Sequence, residues 1–221
     1  PVYFQTPDAD SATQQDRLTI CISGDRTTNH WSATADPCDA YDLKGSVEEV
    51  AAMLGNTELI FKSADHPTFS VGECASIHAK GNQIGYIGRV HKSVADKFDI
   101  DQDIFIAEIQ IRSLLKKKRT FPKFAQVPEH PASLRDIAVV VDDTVAAGEI
   151  RTSAAKAGGK LLQNVEIFDI FKGDQVPKGK KSVALNLTFQ SPERTLTDKD
   201  TDKAWNKILK TLQHNFNAEL R

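Results

Sequence analysis

The hydrophobic pattern of the last third of the chain changes period several times, and each change marks an element. Positions 134–141 carry Leu134, Ile137, Ala138, Val139, Val140 and Val141 ahead of the acidic pair Asp142-Asp143, a β-branched run that predicts a strand. Over 146–157 the apolar positions Ala147, Ile150, Ala154 and Ala157 recur at helical spacing. Gly158-Gly159 supplies the stop, because glycine accepts the left-handed conformation at a helix end. Two further strands, 165–171 and 183–189, are joined by a polar link punctuated by Gly173, Pro177 and Gly179. Thr197 with Asp200 three residues later predicts a capped helix start. Trp205, Ile208, Leu209, Leu212 and Phe216 carry the apolar stripe of that helix. With a short closing strand the order is β-α-β-β-α-β, the split βαβ, ferredoxin-like plan.

The first half is less regular. Residues 7–16 are polar and without period, which predicts a loop, whereas Leu18, Ile20 and Ile22 alternate with Thr19, Cys21 and Ser23 as in a half-buried strand. A turn-rich loop follows over 24–37, with Trp31 as its large anchor. Ser46 and Glu49 form a capping-box pair for a helix with Val47, Val50, Ala51 and Leu54 on its apolar side, ending near Gly55. Residues 59–62 are expected to form a strand, 74–79 and 83–90 a hairpin about Lys80-Gly81-Asn82, 93–98 one or two helical turns, and 104–111 another strand. This half is expected to be an antiparallel sheet with flanking helices, so the whole chain reads as α+β. Between the halves lies a basic linker, 114–126, followed by Val127-Pro128-Glu129-His130-Pro131. Proline stiffens such a link, and the boundary is expected at Val127, dividing 1–126 from 127–221.

Composition narrows the chemistry. The net charge of −2 provides no global field for nucleic acid, so any RNA contact must come from local basic patches. Cys21, Cys38 and Cys74 are too scattered for a disulfide framework or a zinc site, which suits a reducing cytoplasm. No apolar run is long enough to span a bilayer, and a start at Pro1 without Met is expected of a piece cut from a longer protein. Phosphate-loop, His-Glu-x-x-His and Gly-x-Ser-x-Gly motifs are missing, and the six histidines stand alone. No catalytic and no metal-ligating residue is therefore assigned, and no cofactor is expected in this chain.

What remains is a candidate binding surface. The link over 172–181 concentrates Lys172, Lys178, Lys180 and Lys181, which suit phosphate neutralisation or, more plainly, a solvated turn. In the third strand Val183, Leu185, Leu187 and Phe189 point one way, while Ala184, Asn186, Thr188 and Gln190 point to the other face. Small and amide side chains there suit unstacked bases; equally, an open face is polar because it meets water. Strict alternation in the second strand sets Ile167 and Phe171 against Phe168 and Ile170, with Phe168 or Phe171 a stacking platform or ordinary core. Arg135 and Arg194 suit phosphate contact or pairing with Asp136 and Asp198, and Lys116-Lys117-Lys118-Arg119 adds a linker charge run.

Several blocks resemble one family. Leu134-Arg135-Asp136-Ile137-Ala138-Val139-Val140, Gly158-Gly159, Phe168-Asp169-Ile170-Phe171-Lys172-Gly173, Pro177-Lys178-Gly179-Lys180-Lys181-Ser182 and Ser191-Pro192-Glu193-Arg194-Thr195-Leu196-Thr197-Asp198 are similar to the ferredoxin-fold anticodon-binding domain of the bacterial phenylalanyl-tRNA synthetase β subunit. Tyr41-Asp42-Leu43-Lys44-Gly45, His66-Pro67 and Ile84-Gly85-Tyr86-Ile87-Gly88-Arg89-Val90-His91 resemble the end of its catalytic-like module, an inactive class II synthetase core. The chain departs from the family at His91-Lys92, where His-Pro is usual, and after Pro67. The resemblance implies a non-catalytic part of a phenylalanine–tRNA ligase that grips the anticodon stem-loop of tRNA(Phe). The implied contacts are Arg135, Ala138, Lys172, Lys178, Lys180, Lys181, Ala184, Asn186, Thr188 and Arg194. It further implies an α subunit partner in an (αβ)₂ heterotetramer, with ATP and magnesium serving the parent enzyme. The competing expectation is a ferredoxin-like protein-interaction module without RNA, because fold alone implies no function.

Overall fold

In the computed structural model, residues 1–5, 11–32, 34–55, 59–115, 124 and 127–221 are described. The chain divides into two units, Pro1–Pro122 and Lys123–Arg221. Lys116 to Arg119 of the linker lie outside the described residues.

In the first unit, β1 (Val2–Phe4) pairs with β2 (Thr13–Gln15) as a two-stranded ribbon. Part of the predicted loop over 7–16 is thus a strand, too short for alternation to reveal it. There follow β3 (Arg17–Ser23), α1 (Ala40–Met53), β4 (Leu59–Ser63), β5 (Phe69–Ala79), β6 (Asn82–Val90), α2 (Lys92–Ala95), β7 (Ile104–Gln110) and α3 (Ile111–Leu114). The strands form an antiparallel sheet in the order β3-β7-β6-β5-β4. Leu43, Val47 and Ala51 of α1 form one core with Ile77, Ile84, Ala107 and Ile109. The β5–β6 hairpin turns on Lys80 and Gly81, both with positive φ (51° and 81°), the requirement of the tightest two-residue turn.

Two expectations in this unit change. Helix α1 begins before Ser46: Asp39 is its N-cap, in a reciprocal capping box with Asp42. Ser46 lies inside the helix, its hydroxyl donating to the Asp42 carbonyl at 3.1 Å. The carboxylate pair occupies the helix start, so the Ser46–Glu49 spacing has no free amides to cap. Trp31 is 97% exposed and belongs to no hydrophobic core among the described residues.

The second unit runs β8 (Ser133–Asp142), α4 (Ala147–Gly158), β9 (Leu162–Phe171), β10 (Lys180–Phe189), α5 (Asp198–Phe216) and β11 (Glu219–Leu220). Its antiparallel sheet has the order β11-β8-β10-β9, the ferredoxin-like arrangement. Gly159, at φ 68°, ends α4, and the Thr197–Asp200 capping box opens α5. Asn217, at φ 47°, closes α5 and turns the chain into β11. Ile137, Val139, Val141, Val183, Leu185, Leu187 and Phe189 of the sheet share one core with Ile150 and Ala154 of α4 and Ile208 and Leu212 of α5. Both helices therefore cover one face of the sheet and leave the other free of helix.

A register shift between Ala184 and Leu185 inserts one extra residue into β9. An extra residue reverses the side-chain alternation beyond it. Ile167 pairs with Leu185 on the helix side and Phe171 pairs with Ser182 on the open side, so the two no longer share a face as strict alternation predicted.

Candidate nucleic-acid interface

Register alone maps the open face. From β11 across to β9, one row is Glu219, Val140, Ser182 and Phe171. The next holds Ala138, Ala184 and Asp169, followed by Asp136, Asn186 and Glu166, and then by Leu134, Thr188 and Asn164. Ala138, Ala184, Asn186 and Thr188 are brought together here, all half-buried, on the face opposite the unit's own two helices. Asn186 donates from Nδ2 to Asp136 Oδ1 at 2.7 Å, which orients its amide. Asp136 is itself fixed, because its carbonyl accepts from the Trp205 indole at 3.1 Å.

The charge on this face is acidic. Asp136, Asp142, Glu166, Asp169 and Glu219 point outward, against Lys180 and Arg221. Thr144 donates its hydroxyl and its N–H to Asp142 and holds that carboxyl below the usual carboxylate range. A phosphate over the centre would be repelled; the exocyclic amino group of a base finds acceptors there. The residues that sequence reasoning passed over are thus the carboxylates Glu166 and Asp169, while Asp136, weighed there as a partner for arginine, holds Asn186 instead. The same alternation that marked Asn186 would have exposed them once strand pairing was known.

The lysines of the β9–β10 link do not act as one patch. Lys178 is exposed and has no carboxylate partner among the described residues. Lys172 pairs with Asp143 at 2.6 Å and Lys180 with Glu219 at 2.6 Å, both at the surface. Lys181 points the opposite way: it is 9% exposed and donates from Nζ to the Asp143 carbonyl at 2.8 Å. Period two dictates this, since Lys181 has the parity of Val183 and Leu185. The arginines lie away from the four central residues. Arg135 pairs with Asp198 at 2.5 Å, and Arg194 pairs with Asp200 at 2.8 Å. Arg194, with Thr197, holds the Asp200 carboxyl far below its ordinary value. A further basic stripe, missed in the sequence, is Lys203, Lys207, Lys210 and His214, which line a shallow groove on α5.

The second unit is a ferredoxin-like βαββαβ domain whose open sheet face carries small and amide side chains, and comparison with known proteins gives its family. Residues 128–221 match the family described as ferredoxin-fold anticodon binding domain. Residues 1–111 match the phenylalanyl tRNA synthetase beta chain CLM domain. The chain belongs to the phenylalanyl-tRNA synthetase β-chain family. Among its relatives, the phenylalanine–tRNA ligase β subunit of Clostridium acetobutylicum is 39% identical over 184 residues, covering 83% of this chain and 23% of the relative. That of Aliivibrio fischeri is 37% identical over 210 residues, 94% of this chain and 26% of the relative. The Listeria monocytogenes serotype 4b subunit is 34% identical over 221 residues, 100% of this chain and 27% of the relative. The chain thus spans about a quarter of the length of these relatives.

Proposed function

We propose that the chain is the non-catalytic, tRNA-holding part of a phenylalanine–tRNA ligase β subunit. Residues 127–221 bind the anticodon stem-loop of tRNA(Phe), and residues 1–126 act as an inactive class II synthetase-like scaffold. In this reading Ala138, Ala184, Asn186 and Thr188 meet unstacked bases, while Lys178, Lys172 and Lys180 approach phosphates along the rim. Lys181, Arg135 and Arg194 hold the framework. The observation that carries the reading is the uncovered row of small and amide side chains about Asn186, flanked by carboxylate acceptors. Holding the anticodon end positions the acceptor end for reaction elsewhere, a proximity contribution to catalysis. The parent enzyme would be an (αβ)₂ heterotetramer in the cytoplasm, with ATP and magnesium used at the α subunit to attach phenylalanine.

Titration of the whole chain with tRNA(Phe) near physiological salt tests this. Binding should be competed by the isolated anticodon stem-loop and weakened by Asn186→Asp, which sets a second carboxylate against Asp136. Absence of binding by the wild-type chain overturns it. The acidic balance of the face favours a second reading, in which it docks a basic protein segment. A lysine-rich peptide that displaces nothing while tRNA binds argues against that alternative.

A further inference from the structure

The basic stripe of α5 is unused by the binding set above, and its spacing runs against helix stability. At about 100° per residue, Lys199, Lys203, Lys207, Lys210 and His214 fall within an arc of about 80°, along about 22 Å of helix. All five are exposed, on the side of α5 opposite Ile208 and Leu212 of the core. Successive members stand three or four positions apart, the spacing at which like charges repel and destabilise a helix. Elsewhere the chain uses that spacing for ion pairs, Lys44 with Glu48 in α1 and Lys92 with Asp96 at the end of α2. No lysine of the stripe pairs with a carboxylate among the described residues. Asp200, at the edge of the arc, is taken by Arg194, and Asp202 is turned about 100° away from Lys203. The helix dipole favours a cation in the last turn, which accounts for His214 and not for Lys199 in the first. A face that only meets water would mix its signs.

The polar side chains beside the lysines point to what covers them. Asn206 donates from Nδ2 to the Asp202 carbonyl at 2.8 Å, and Thr211 from Oγ1 to the Lys207 carbonyl at 2.9 Å. Both donors are thus engaged by the helix itself, and each side chain keeps an oxygen as an acceptor beside the cations. Lysines take phosphates and the acceptors take 2′-hydroxyls, a combination that a ribose–phosphate backbone offers. No large apolar side chain of α5 is exposed, so the face lacks the aromatic or aliphatic anchor of a protein interface, from which lysine is also depleted. We propose that the outer face of α5 is a second RNA-binding surface, which holds the backbone of a helical RNA segment without regard to sequence. The anticodon stem-loop, held on the opposite face of the unit, is not its ligand, and the inference does not depend on the reading of that face.

The test is titration of the whole chain with a labelled blunt RNA duplex of about 16 base pairs, which offers no unpaired base, and with a DNA duplex of the same sequence. At about 50 mM salt the wild type should bind the RNA duplex, and more tightly than the DNA. Lys203→Gln/Lys207→Gln/Lys210→Gln should lower the slope of log affinity against log salt by about 2–3, while the second unit melts no lower than in the wild type. Asn206→Leu/Thr211→Val should erase the preference for RNA and leave the slope as it was. An unchanged slope in the triple variant overturns the proposal, as does a wild type that binds neither duplex. So does a poly-glutamate of matched charge that displaces the RNA duplex at a lower concentration than unlabelled duplex does, which assigns the stripe to an acidic protein segment. A chain that binds the duplex but no anticodon stem-loop upholds the stripe and overturns the open-face reading instead.

Discussion

Lys181 and Lys178 sit three positions apart in one basic link, yet the geometry gives them opposite tasks. Lys181→Met keeps the aliphatic stem and removes the ammonium that bonds the Asp143 carbonyl in a largely buried setting. Hydrogen bonds involving a charged group contribute about 1.5–3 kcal/mol, so a loss near 2 kcal/mol is expected. At roughly 4–8 °C per kcal/mol for a unit of this size, the transition of residues 123–221 should move down by about 10 °C or somewhat more. Its RNA affinity, measured below the new transition, should keep its dependence on salt. Lys178→Met should leave the transition within about 0.5 kcal/mol of wild type, because the side chain is exposed and pairs with no carboxylate among the described residues. It should instead lower the slope of log affinity against log salt by about 0.7–0.9, the signature of one phosphate contact. Calorimetry and salt-stepped anisotropy with a labelled stem-loop read the two quantities separately. A Lys181→Met chain that melts normally but loses salt slope would refute the assignment.

Other outcomes follow from the same geometry. Gly85→Ala would place a Cβ 1.9 Å from the Glu108 carbonyl oxygen, a backbone atom, so β6 and β7 must separate. Its cost should reach at least the upper end of overpacking, about 3 kcal/mol, read as a lower urea midpoint for residues 1–122 alone. Thr197→Ala removes the N-cap of α5 and should cost about 1 kcal/mol in thermal unfolding of the second unit. Asp200 has a depressed pKa from Arg194 and Thr197, so its contribution is present above the unfolded value near 3.9 and is lost as pH falls through the lower folded value. The melting difference between wild type and Asp200→Asn should therefore be constant near neutrality and shrink below about pH 3.9. Replacing Lys203, Lys207 and Lys210 together should change stem-loop affinity less than twofold near physiological salt. They lie on the helical layer, beyond a Debye length of about 8 Å from a ligand on the opposite face. A larger loss in gel shift would move the RNA to α5.

Much of the second unit was legible because its periods are clean. The 3.6-residue stripe from Trp205 to Phe216 and the capping box at Thr197 predict α5, and the parity of Val183 to Phe189 assigns both faces of β10. The same parity already placed Lys181 inside; grouping it with its neighbours by charge hid that. The orientation of Phe171 was not legible, since a bulge in β9 depends on pairing with β10 and leaves no mark in the local pattern. Nor was the Arg221–Phe171 contact, which joins residues fifty positions apart through a strand of only two residues. In the first unit the true cap, Asp39 with Asp42, obeys the same spacing rule as Ser46 with Glu49, and the pattern alone could not rank them.

The most direct measurement is crosslinking of the whole chain to an anticodon stem-loop carrying 4-thiouridine in the loop, with the adducts mapped by mass spectrometry. Adducts on the open-face peptides of β8 and β10, around Ala138 and from Ala184 to Thr188, are the predicted result. Adducts confined to the outer faces of α4 and α5, or to the first unit, would contradict the account.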